Sequence, residues 1–146
     1  MKLLAMCLAM IVWNGAMAAD LKPCEVLTEA DVRAVFGAEW KRVGMMLSES
    51  EVCAYQSSPT NVVTLLLTHD GSGADYILAG RKKMAGNKAQ SATGSGAGAC
   101  RVSTPTANAI VFGKGEWVGQ IEVTPAATKD LSVLDRLTKT AYDRLP

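Results

Sequence analysis

The chain is poor in aromatic side chains, at 5%, and holds a single histidine, His69. Neither charge is in excess: 15 lysines and arginines stand against 14 carboxylates, for a formal net charge of +1. Each shortage removes a class of function. Without a basic stripe or aromatic platforms, the electrostatic and stacking footprint of a nucleic-acid binder is missing. The basic cluster Arg81-Lys82-Lys83 is too short to hold the chain to an acidic membrane surface by charge alone. One histidine among scattered carboxylates is a poor metal set, and Cys-x-x-Cys, the spacing of zinc knuckles and redox pairs, does not occur. No serine sits in a nucleophile-elbow pattern. No cofactor is expected.

Long apolar runs are also scarce, and the one that stands out opens the chain. Lys2 precedes an apolar stretch from Leu3 to Trp13, and Ala16-Met17-Ala18 puts small residues at both positions of a cleavage site. That is the pattern of a secretory signal, and the stretch falls short of the roughly twenty residues a bilayer span needs. A buried N-terminal helix would show a polar face, which this stretch lacks. Cys7 follows Met6, where a lipid-attachment signal needs a small residue. The expectation is a signal peptide over residues 1–18 and one exported domain over 19–146. The domain is periplasmic or secreted, with no membrane anchor after cleavage. A chain of that size buries roughly two-thirds of its unfolded surface and so supports a core of its own.

After cleavage Cys24, Cys53 and Cys100 remain, allowing three pairings and leaving one thiol over. An oxidising compartment closes one pair. Position favours Cys24–Cys53, because the first lies just ahead of a helix start and the second in a short strand. Closing the loop between them is worth roughly 3–4 kcal/mol in the chain-entropy model. Cys100 is then a buried small apolar residue or, alternatively, a reactive or intermolecular thiol.

The clearest local element is "LTEADVRAVFG" (27–37). Thr28 caps it, Asp31 reaches back three residues later, Val32, Val35 and Phe36 share a face, and Gly37 ends it. A loop holding Trp40 leads to the alternating strand "EVCAYQS". "NVVTLLLTH" (61–69) is apolar on both faces, as a strand covered on two sides should be. The cluster "SSPTN" between them reads as a hairpin turn. "GADYILAGRKKMAGN" (73–87) is a helix with Tyr76, Ile77, Gly80 and Met84 on its apolar face, stopped by Gly86-Asn87. "CRVS" and "NAIVFGKGEWVGQIEV" (108–123) give three more strands, the last two flanking Gly-Lys-Gly. Trp117, Gly119, Ile121 and Val123 face one way and Val118, Gln120 and Glu122 the other, up to Pro125. The last helix, roughly 127–145, carries Leu131, Leu134, Leu137 or Thr138, Ala141 and Leu145 inward, with an Asp135–Lys139 pair outside. Hairpins outnumber crossovers. The fold class is therefore α+β, a single-domain sandwich with a mostly antiparallel sheet and about three helices.

"CEVLTEADVRAVFG", followed about thirty residues later by "CAY", resembles the opening of small extracytoplasmic bacterial domains of uncharacterised function. The glycine stretch, the hairpin and the closing helix extend the resemblance over nearly the whole chain after Ala18. Val26 stands where leucine is usual, and Cys100 where alanine or an aromatic is frequent. The resemblance implies a PsbP-like α/β sandwich and a Cys24–Cys53 bridge. It carries no catalytic residues.

Three places invite a functional reading. "SATGSGAGAC" (91–100) suggests a phosphate cradle, but a strand follows where a helix should start, so it reads as a flexible connection. His69 beside Asp70 is a turn histidine or, alternatively, the working residue of a hydrolase. Trp40, Arg42 and Trp117 are candidate partner contacts, although core packing suits both tryptophans. The leading expectation is a non-enzymatic exported binding module, acting through an unknown protein or small apolar ligand of the cell envelope. An inhibitor of an exported enzyme, presenting a loop such as 38–50 or 86–98, is the other alternative.

Overall fold

The computed structural model describes residues 20–44, 51–86, 89–92, 94–124 and 130–146. The signal reading of 1–18, the stops at Asn87 and Pro125, the first turn of the helix from 127, and the 45–50 part of the inhibitory loop lie outside the described residues.

The chain opens with a short helical turn, α1 (Pro23–Val26), whose proline stands where no backbone N–H is needed. Helix α2 (Glu29–Phe36) follows at once, built as its sequence dictates. Asp31 N–H donates to Thr28 Oγ1 at 3.3 Å, and Thr28 N–H donates to Asp31 Oδ2 at 2.8 Å, closing the reciprocal cap. Strands β1 (Lys41–Val43), β2 (Val52–Ser58) and β3 (Asn61–His69) come next, then α3 (Ala74–Ala85). Strands β4 (Ala89–Ser91), β5 (Cys100–Ser103), β6 (Asn108–Lys114) and β7 (Trp117–Val123) precede α4 (Leu131–Arg144).

The seven strands of the described residues form one antiparallel sheet in the order β1-β2-β3-β7-β6-β5-β4. The fold is α+β, with four helices among the described residues rather than about three. The additional pieces are α1, β1 and β4, each only three or four residues long. Elements that short have no periodicity to read. The two short strands lie at the sheet's edges, which limits edge-to-edge pairing with another chain.

Register sorts the side chains. Tyr55, Val63, Ile121 and Ile110 stand on one face, joined by Leu65, Phe112 and Val123. On that face α1 lies over β2 and β3, α4 lies over β6 and β7, and α2 braces α4. Leu134, Leu137, Ala141 and Leu145 of the closing segment are almost fully buried there, each leucine contributing about 1.5–3 kcal/mol. The Phe112 ring packs against Gly119, where any side chain would collide with it. The opposite face holds a smaller cluster of Cys100, Val111 and Val118 under Ala74 and Leu78 of α3.

Several expectations change at this level. The buried face of α3 is Ala74 and Leu78, while Tyr76 and Met84 are 73% and 84% exposed. Gly113 explains the reversal: a side chain there would strike Ala74 and the Trp117 carbonyl, so bare backbone seats the small residue of α3. The hairpin turn falls at Gly115-Glu116, not at Gly-Lys-Gly, with Gly113 and Lys114 inside β6. The glycine stretch is a folded turn between β4 and β5. Gly94, Gly96 and Gly98 all have positive φ, Ala92 N–H donates to Ala99 O at 3.0 Å, and Ser95 is fully buried. Asp135 pairs with Arg101 of β5 instead of Lys139, whose ammonium donates to Asp143 at 2.6 Å. Strand β3 is fully buried only on the α4 side; Thr64 and Leu66 on the other side are half-buried.

Candidate functional site: a trough beside helix α3

Uneven cover of the sheet makes the site. Ala74 N–H donates to Gly115 O at 2.8 Å and fixes the start of α3 over the β6–β7 turn. One turn on, Leu78 is buried among Cys100, Val111 and Val118. With its first half seated this way, α3 spans β5 to β7, and among the described residues no other helix covers the sheet beyond its flank.

Two rows of side chains pave that opening, each set by cross-strand register. Cys100, Val111 and Gln120 make one row, and Val102, Ala109 and Glu122 the next. Arg81 and Met84 wall the α3 side, and the turn at Thr104, Thr106 and Ala107 closes the far end. Thr104 Oγ1 accepts from Ala107 N–H at 3.0 Å, which fixes that turn. The hollow so enclosed measures about 400 Å³. A second hollow of about 490 Å³ runs over the outer flank of α3, along Tyr76, Ile77, Gly80 and Lys83, and shares Arg81 and Met84 with the first. The two hollows adjoin at those shared side chains, and together they are the trough.

Its floor is mainly apolar, with an amide, a carboxylate and a guanidinium at the rim. Cys100 is 1% exposed, and burial pushes its thiol up, against the pull of Lys82 and Arg81. A protonated, buried thiol behaves as an apolar floor residue rather than a nucleophile.

The residues singled out from sequence fall elsewhere. Cys24 and Cys53 are bonded to each other, with Cα atoms 5.2 Å apart, and tie α1 to β2. Trp40 is 3% exposed, stacked on Phe36 with ring centroids 4.8 Å apart, and its carbonyl accepts from Arg33 Nε at 2.8 Å. A side chain so buried offers a partner no contact; it belongs to the core. Arg42 is exposed on β1, and its backbone N–H donates to Glu29 Oε2 at 2.7 Å. Trp117 is half-buried and meets His69 edge-on at 4.9 Å. The structure thus brings Trp117 and His69 together but not Trp40 or Arg42.

His69 Nε2 lies 3.0 Å from Glu116 Oε2. The hollow beside it, about 270 Å³, is lined by Asp20, Leu21, Glu51, Leu67, Thr68 and Trp117. Its one hydroxyl, Thr68 Oγ1, donates to Val118 O at 3.4 Å. Register puts His69 and Trp117 on the α4 side of the sheet and the trough on the other. The glycine turn leads into β5, not into a helix, so it has no phosphate-binding N-terminus. Among the described residues no cluster of three His, Cys, Asp or Glu side chains could hold a metal ion. No helix among them is long and apolar enough to cross a membrane.

Protein-family models, curated proteins and solved structures give no match to this chain.

Sequence reasoning found α3 but not the trough. The usable signal was the run "DYILAGRKKM", where bulky apolar residues, a mid-helix glycine and three cations share one short element. The floor had no such signal. Val102, Ala109 and Glu122 converge only through the pairing of three strands.

Proposed function

We propose that the chain is an exported, non-enzymatic binding module that takes an apolar group of a small ligand or protein partner into the trough. The observation that carries this reading is the trough itself. It is an apolar-floored cavity of about 400 Å³ with a few polar groups at its rim, within the range of ligand sites. The Cys24–Cys53 bridge is compatible with an oxidising extracytoplasmic location and supports export to the periplasm or medium. The resemblance to small extracytoplasmic domains with a PsbP-like sandwich supports the same reading.

The test is a titration of the oxidised, processed chain with Nile red, a neutral apolar dye. A saturable rise in fluorescence is expected. Ala109→Trp, which fills the floor from a half-buried position, should weaken the dye about tenfold, equal to roughly 1.4 kcal/mol, while leaving the circular-dichroism spectrum unchanged. Uptake that ignores the tryptophan would remove the trough as the site.

A further inference from the structure

We infer that the trough's occupant is an acidic amphipathic helix of another polypeptide, lying beside α3 with an apolar side chain seated at Gly80. This rests on the trough being the binding site, and three independent features of the molecule lead to it.

The first is architectural. Among the described residues, one face of the sheet carries α1, α2 and α4, and the other carries α3 alone. Leu66, Thr64 and Gln120 lie half-buried beyond its flank. A helix laid alongside α3 completes the second layer in the way helices normally cover a sheet. The second feature is the shape of the helix. Tyr76 and Met84 are the exposed large apolar side chains of the described residues, and Gly80 sits one turn from each. Nothing lies within 4 Å of where a Gly80 Cβ would be. A glycine weakens a helix interior, and no neighbour demands this one. Its effect is a notch between two projecting apolar groups, the form a partner's knob enters in helix-in-groove recognition.

The third feature is charge. Arg81, Lys82 and Lys83 are exposed and have no ion-pair partner among the described residues, whereas Asp75 is the one carboxylate on α3. Three like charges oppose a second copy packing α3 on α3, and they attract acidic residues flanking the knob. Cations in a last turn also suit the helix dipole, but that role requires neither an exposed Tyr76 nor an exposed Met84. A lipid surface is a poorer fit. A flat bilayer meets the tips of Tyr76 and Met84 and leaves both the notch and the sheet floor empty.

The experiment titrates the oxidised, processed chain into two fluorescein-labelled synthetic amphipathic helices, one built of Leu and Glu and the other of Leu and Lys. The acidic helix should bind about tenfold tighter and weaken as salt is raised. Arg81→Glu with Lys83→Glu should invert the preference. Gly80→Leu should weaken the acidic helix about tenfold with the thermal melt preserved, which separates a filled notch from an unfolded chain. Equal affinity for the two helices, or indifference to Gly80→Leu, overturns the inference. So does capture of the chain by phosphatidylglycerol vesicles without helix binding, or a dimer that excludes the helix. Nile red uptake that survives while both helices fail leaves the trough as the site and removes only the helix. Loss of dye and helices together removes both.

Discussion

Tyr55 brings a hydroxyl into the core, and two residues set its fate. It donates to the Leu27 carbonyl at the α1–α2 junction, and the Cys53 sulfur, which has no proton to give, lies 3.1 Å from the same oxygen. Burial pushes the phenol up to about 12 from an ordinary value of 10.0. The folded state thus holds the proton more tightly than the unfolded chain. Stability from this group is complete below pH 10 and declines as pH rises from there through 12. Tyr55→Phe keeps the ring but strands the Leu27 carbonyl, and a loss of about 1–2 kcal/mol is expected in urea melts at neutral pH. A second clasp joins the end of α4 to α1 and α2. Arg144 donates bidentately to Asp31, with Nη1 at 2.5 Å and Nη2 at 2.9 Å, and Nη1 also donates to Val26 O at 2.9 Å. Chiefly through this contact, Asp31 is held down at about 2 instead of 3.8. The sign is opposite to that of Tyr55. The contribution is full above pH 3.8 and is lost as pH falls through 2. Asp31→Asn should cost about 1–3 kcal/mol at neutral pH and flatten the acid limb of the stability curve; an unchanged acid limb contradicts the clasp. Arg144→Lys should restore little, because a lysine cannot reproduce the paired donors.

At the scale of elements, what the sequence made legible was what lies close along the chain. Thr28 and Asp31 are three residues apart, so the cap of α2 could be read directly. The alternation of Trp117 to Val123 sorted its faces correctly because a strand's period is two. What failed depended on distant partners. Helix α3 offered Tyr76, Ile77 and Met84 as the natural stripe to bury, yet only Ile77 packs against the sheet-side cluster, because bare backbone at Gly113 seats Ala74 and turns Tyr76 and Met84 outward. Asp135 had Lys139 one turn away and took Arg101 across the fold. The glycine turn looked like slack chain, but Gly96 has φ +88° and its missing Cβ would stand 2.5 Å from the Tyr142 ring. Gly96→Ala therefore combines a strained backbone with a clash, and should cost about 2 kcal/mol or more by chemical denaturation. Gly80→Ala is the contrasting case. With open space around it, a gain of about 1 kcal/mol is expected in the same assay. A loss of stability at Gly80→Ala would show that the glycine is structural and leave the notch without a rationale.

At the scale of the whole sheet, the described residues close the sandwich on one side and leave it open on the other. The closed side is tied at three levels: the Cys24–Cys53 bridge, the Arg144–Asp31 clasp, and the leucines of α4. Reducing the bridge releases a loop of 29 residues and should lower stability by about 3–4 kcal/mol, seen as a fall in melting temperature with reductant. Among the described residues, the open side is held by Ala74 and Leu78 with the half-buried Ile77 and Ala89 against them, and its floor is half-exposed. The two sides were not equally readable. Local caps and strand alternation announced the closed side, whereas the trough exists only after β5, β6 and β7 have paired. The most direct measurement is amide hydrogen exchange on the oxidised chain with and without saturating Nile red. Added protection confined to α3 and β5–β7 is the predicted result; protection over α2, α4 or the His69 end, with α3 unchanged, would contradict it.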